Sequence, residues 1–152
     1  MVDVSITNRQ NILPVDRRRI RELVRASAPE EWVNAALSVV LVADEEIRAL
    51  NARFLKRAQA TDVLAFPLDG PDASDRPMVG EVVVSAERAV EEAERREVRP
   101  EVELALYVVH GVLHLAGFDD HSPENRRAMR AREAEILARF GWHGVATKNP
   151  GP

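Results

Sequence analysis

The chain contains no cysteine. That removes disulfide frameworks, thiolate zinc sites, iron–sulfur clusters and cysteine nucleophiles together, so any metal ligand must be His, Asp or Glu. Net basic charge is also missing: 21 Lys and Arg stand against 25 Asp and Glu, for a formal charge of −4. No global positive field draws the chain onto nucleic acid, and any such contact must come from a local patch. Long hydrophobic runs are absent too. The longest apolar stretches, residues 33–43 and 104–118, are interrupted by Asn34 and Ser38 in one and by His110 and His114 in the other. Both fall short of the about 20 apolar residues that a membrane span requires. Residues 1–7 carry neither a basic flank nor an apolar core, so no secretory signal is expected. These absences predict a soluble, cytoplasmic protein with no membrane partner.

The length of 152 residues, 45% of them apolar, suits one domain over residues 1–143 with a flexible tail over 144–152. A chain of this size hides roughly 70% of its unfolded surface on folding, so a metal would serve chemistry rather than hold the fold together.

The hydrophobic pattern lays out alternating elements. Val4-Ser5-Ile6 alternates as a half-buried strand does. Residues 14–28 place Val15, Ile20, Leu23 and Val24 among five arginines, the pattern of a helix with a basic outer face, and Pro14 suits its start. The β-branched run 37–42 predicts a buried strand, and Asp44 offers an N-cap to a helix carrying Ile47, Leu50 and Phe54. A third strand is expected over 61–66, stopped by Pro67, then a loop over 68–79, a fourth strand over 81–85 and a charged helix over 86–97. Pro100 opens a helix with almost no polar face, which is therefore central and buried, and Gly117 ends it. A last helix spans 123–140 with Met129, Ile136 and Leu137 inside. The expected fold is α+β: one mixed sheet of about four strands, packed by helices, around the central helix.

Three of the four histidines fall within twelve residues, at His110, His114 and His121. A spacing of four puts His110 and His114 on one face of the central helix, one turn apart, where two imidazoles can share one ion. Gly117 lets the chain reverse, so that Asp119, Asp120 or His121 can return as a third ligand. Three ligands leave a position open for water, as catalytic zinc sites do. The plain alternative is a pair of satisfied core histidines. Against it, two unpaired imidazoles on an apolar helix would cost on the order of 1–3 kcal/mol each, and an interior glycine at 111 about 1 kcal/mol more. Several local rules broken in one place mark a functional site. The spacing is that of the protease signature His-Glu-x-x-His, but position 111 is Gly, which removes the general base of that class. A glycine there is expected to clear room beside the metal.

The run His110-Gly111-Val112-Leu113-His114-Leu115-Ala116-Gly117-Phe118-Asp119 resembles the metal-binding motif of the YbeY family of bacterial endoribonucleases and ribosomal RNA maturation factors. Ala60-Thr61-Asp62-Val63-Leu64-Ala65-Phe66-Pro67 and Gly80-Glu81-Val82-Val83-Val84-Ser85 resemble two further segments of that family, in the same order and spacing, with Leu50-Asn51 ahead of them. The resemblance covers about residues 4–142. It implies a zincin-like arrangement and one zinc ion per chain. It also implies a metal-dependent hydrolase that cuts single-stranded RNA, acting in ribosomal RNA maturation at the 16S 3′ end and in ribosome quality control, with the small ribosomal subunit as a partner. The family's third histidine aligns with Asp120, and His121 lies one residue later. Asp120 is favoured because the ungapped register continues to Met129 and Glu133, and both remain candidates. The family's arginine after Leu-Asn aligns with Leu55, beside Lys56 and Arg57.

Three arginine clusters stand out, over 17–25, 48–57 and 126–132. Charged residues on helices usually form a solvated face, and Glu133 and Glu135 interleaved with the last group favour that reading there. The middle cluster, Arg48, Arg53, Lys56 and Arg57, has no acidic residue within it. It is the candidate for contacts with backbone phosphates, which position RNA without reading its sequence. Trp142 reads as helix-end packing. Two other functions fit the same features: a ribosome-assembly binding module holding a structural metal, and a metal-dependent hydrolase of peptides or small molecules.

Overall fold

The structure, a computed structural model, describes residues 1–55, 62–68, 70–71 and 75–143. Among these residues four strands, β1 (Asp3–Asn8), β2 (Ala36–Val42), β3 (Val63–Pro67) and β4 (Met78–Ser85), form one mixed sheet in the order β1-β2-β4-β3. β1, β2 and β4 run parallel, and β3 lies antiparallel to β4 at the edge. Among the described residues five α-helices accompany them: α1 (Arg17–Ser27), α2 (Asp44–Leu55), α3 (Ala86–Arg96), α4 (Pro100–Leu115) and α5 (Pro123–Arg139). The α+β expectation with a mixed four-stranded sheet holds.

Every residue of β2 is buried, because both faces of the sheet are covered. Leu37, Val39 and Leu41, with Val82 and Val84 of β4, face a large core shared with α1, α3, α4 and α5. Val40, Val42 and Val83, with Leu64 of β3 beside them, face the opposite way, onto Ile47 of α2. A strand buried on both faces reads as a continuous apolar run, which is why residues 37–42 do not alternate.

Several boundaries differ from those expected. α1 starts at Arg17 rather than Pro14, since the Asp16 side chain caps it by accepting from the Arg19 N–H (3.0 Å). Pro67 ends β3 from within: proline is tolerated on an edge strand, where its missing N–H forfeits no ladder bond. β4 begins at Met78, inside the segment expected as loop, and a short 3₁₀ turn at Glu30–Trp32 was not expected. Thr61 and the tail over 144–152 lie outside the described residues.

The outer edge of β1 is covered by the basic helix. Arg17 donates to the Ile6 carbonyl (2.7 Å) and Arg25 to the Val2 carbonyl (3.2 Å). Arg19 lies over the stacked rings of Phe140 and Trp142, at 5.6 and 5.4 Å from their centroids. Arg17, Arg19 and Arg25 of the first cluster thus work within the fold, while Arg18 is solvated, and Trp142 packs at the end of α5 as expected.

α4 is the hub. All of its residues from Val102 to Leu113 are buried, and it touches α1, α3, α5, β3 and β4. Pro100 supplies its first turn, where an unbonded N–H would be lost in any case. Glu103 in that turn is 1% exposed and is held by Arg96 of α3 through contacts of 2.8 and 3.1 Å. Burial is the main influence on the Glu103 carboxyl and raises it above the ordinary carboxylate range, with Arg96 acting the other way.

Candidate metal centre

His110 and His114 sit in the last two turns of α4, where their rings meet edge to face at 4.7 Å between centroids. Their Nε2 atoms converge to 3.1 Å. Two nitrogens held at about 2.05 Å from one tetrahedral zinc ion lie about 3.3 Å apart, so the pair already has the separation that a shared ion demands.

The chain then reverses tightly. Gly117, at φ 104°, ends the helix in a conformation that suits glycine. Its N–H donates to the His114 carbonyl (3.1 Å) and the Phe118 N–H to the Leu113 carbonyl (3.0 Å), a Schellman closure that turns the following loop back over the helix end. Within that loop the Asp119 carboxylate accepts from the His121 N–H (2.9 Å) and the Asn125 side chain (2.9 Å). These bonds, the backbone one foremost, hold the Asp119 carboxyl below its ordinary range. Ser122 caps α5 by accepting from the Asn125 N–H (3.0 Å), and Arg126 donates to the Asp120 carbonyl (3.1 Å).

The turn brings Asp120 back and directs His121 out. One ligand atom from each of His110, His114 and Asp120 lies within 4.8 Å of the others, a group that could hold a metal ion. His121 is outside it, with its side chain 85% exposed. The donor set, two imidazoles and a carboxylate, suits zinc.

Two expectations about this region are overturned. Gly111 does not clear room beside the metal, because it faces the sheet. A Cβ there would lie 2.5 Å from Val82 Cγ1 and 3.1 Å from Val63 Cγ2, so the glycine lets α4 settle onto β4 and β3. Glu133 is not part of a solvated face. It is fully buried, and its carboxylate bonds to the His110 Nδ1. In the sequence Glu133 served as a register marker and as one of the acidic residues that favoured a solvated face. The available signal was its place in the inner stripe of α5 with Met129, Ile136 and Leu137, all buried.

Of the proposed RNA contacts, Arg48 and Arg53 are exposed on α2, while Lys56 and Arg57 lie outside the described residues. Among the described residues, no helix is long and apolar enough to cross a membrane.

A family model described as endoribonuclease YbeY matches residues 5–141. A protein named endoribonuclease YbeY from Anaeromyxobacter sp. (strain Fw109-5) is 40% identical over 119 residues, which is 78% of this chain and 62% of that protein. The chain spans 62% and 59% of the length of the two Anaeromyxobacter relatives it matches. One of the same name from Carboxydothermus hydrogenoformans is 37% identical over 140 residues, covering 90% of this chain and 96% of that one. The solution structure of a Thermotoga maritima protein superposes with a TM-score of 0.61 at 27% identity, over 100% of this chain and 99% of that one. The match to the family model extends from within β1 to beyond the end of α5, taking in the convergent histidines of α4, and the chain belongs to the endoribonuclease YbeY family.

Proposed function

We propose that this protein is a zinc-dependent, single-strand-specific endoribonuclease of the cytoplasm. In this reading it matures ribosomal RNA at the 16S 3′ end and serves ribosome quality control, with the small ribosomal subunit as its partner. The observation that carries the proposal is the convergence of His110, His114 and Asp120 at the end of the buried helix, in a chain of this family. His110 and His114 would hold the ion through Nε2, and Asp120 through its carboxylate. When bound, zinc would supply the Lewis acidity that polarises a phosphoryl oxygen and lowers the pKa of a water on it to about 7. The chain's own part is to present these donors rigidly: α4 is locked in the core, and the loop carrying Asp120 is fastened by Asp119, Ser122 and Arg126. Exposed Arg48 and Arg53, with Lys56 and Arg57 after them, are the proposed phosphate contacts that stand in for the arginine replaced by Leu55.

The test is to measure metal content and cleavage of a single-stranded RNA on one purified sample, with His114→Ala as control. About one zinc ion per chain, with chelator-sensitive cleavage lost in the variant, is the expected result. Full zinc without RNA cleavage would point instead to a binding module, and casein cleavage without RNA cleavage to a peptide hydrolase.

A further inference from the structure

We propose that Glu133 is a positioning residue of the metal centre, setting which nitrogen of His110 faces the ion. The inference rests on the metal reading above and adds to it a residue on a different helix.

A neutral imidazole carries its proton on either ring nitrogen, and the hydrogen bond made by one nitrogen decides what the other can do. An ionised carboxylate only accepts. With Glu133 bonded to the His110 Nδ1, that nitrogen bears the hydrogen, and Nε2 keeps its lone pair. This Nε2 is the atom that lies 3.1 Å from the His114 Nε2. The tautomer selected by α5 is therefore the one that can ligate at the convergence point. His110 is 3% exposed and Glu133 fully buried, so water does not compete for the bond.

The placement of Glu133 argues against a surface charge pair. Met129, Glu133, Ile136 and Leu137 form the inward stripe of α5, and a carboxylate there takes a position that an aliphatic side chain would fill. Replacing both partners of a buried ionic contact by well-packed apolar side chains is often neutral or stabilising, so stability alone does not account for the pair. A carboxylate on the far nitrogen of a ligating histidine fixes ring orientation and raises ligand basicity, and its removal typically costs 10–100-fold in metal affinity. Arg126 lies on the same helix, seven residues earlier, and holds the carbonyl of Asp120. One helix thus braces two of the three candidate ligands.

The test uses the full chain and the variants Glu133→Leu and Glu133→Gln. Zinc affinity is measured by chelator competition, and the His110 tautomer of the metal-free protein by long-range ¹H–¹⁵N correlation NMR. Wild type is expected to show the Nδ1–H tautomer. Glu133→Leu, which leaves the buried His110 Nδ1 without its carboxylate, should be less stable, lose that tautomer preference and bind zinc about 10–100-fold more weakly. Glu133→Gln, whose amide oxygen can still accept, should fall between the two. Should Glu133→Leu not fold, Glu133→Gln decides through the same two readouts. An Nε2–H tautomer in wild type, or unchanged zinc affinity and tautomer in the folded variants, would overturn the proposal. Because the tautomer is read without metal, a wild type that binds no zinc would sink the metal reading and leave the positioning claim to the NMR result.

Discussion

The substitution Gly111→Ala sets two physical effects against each other with opposite signs. Alanine is favoured over glycine in a helix interior by about 1 kcal/mol, so a reading based on helix propensity predicts a gain. The packing predicts a loss. The new methyl carbon would stand 2.5 Å from Val82 Cγ1, 3.1 Å from Val63 Cγ2 and 3.3 Å from Val82 Cγ2. Val82 lies fully buried in the central strand β4, with β2 on one side and β3 on the other. Overpacking of this kind costs typically 1–3 kcal/mol. The expected net is a destabilisation of about 1 kcal/mol, lowering Tm by roughly 2–4 °C for a chain of this size. Urea denaturation of wild type, Gly111→Ala, Val82→Ala and the double variant measures it. In the Val82→Ala background the main obstruction is gone, so Gly111→Ala should become neutral or favourable, giving a coupling of about 1–3 kcal/mol between the two sites. An outright gain of about 1 kcal/mol in the wild-type background, with additive behaviour in the cycle, would refute the claim that glycine is there to let the helix onto the sheet.

Asp120→Ala should weaken zinc binding by well over about 10-fold, whereas His121→Ala should leave it nearly unchanged; calorimetric titration of both variants checks this, and the reverse order would make His121 the ligand. The buried Glu103 predicts a pH dependence. Its carboxyl is raised in the folded state, so its contribution to stability is complete below the unfolded-state value and is lost as pH rises through the folded-state one. The stability of wild type relative to Glu103→Gln should therefore fall as the pH is taken from about 4 to about 7, and a rise over that range in urea denaturation would contradict it.

What was legible in the sequence divides along physical lines. Local periodicity exposed the elements, because β2 and α4 are so uniformly apolar that they must lie in the interior. The two histidines were legible for the same reason: imidazoles four residues apart on such a helix have few uses besides a shared partner. Element ends were less legible, since they depend on single capping contacts. Pro14 carried the stronger helix-start signal, but the bond from the Arg19 N–H to Asp16 decided where α1 begins.

The two misreadings at the site share a cause, which is that a one-dimensional pattern does not say which neighbour a side chain will meet. Gly111 follows His110 directly, but consecutive helical residues point about 100° apart. The ring of His110 turns toward α5, and the missing side chain of Gly111 toward β4 and β3. The chemistry and the close packing at these adjacent positions therefore belong to different faces of α4. Glu133 is the converse case. It stands twenty-three residues from His110 and among charged neighbours, so composition assigned it to solvent. Its spacing of four from Met129 and of three and four to Ile136 and Leu137 is the core periodicity itself. Applied to every residue type, and not only to apolar ones, that periodicity would have placed the carboxylate inside. A carboxylate placed inside needs a polar partner, and the His110 ring on α4, the helix against which α5 packs, is the partner the structure supplies.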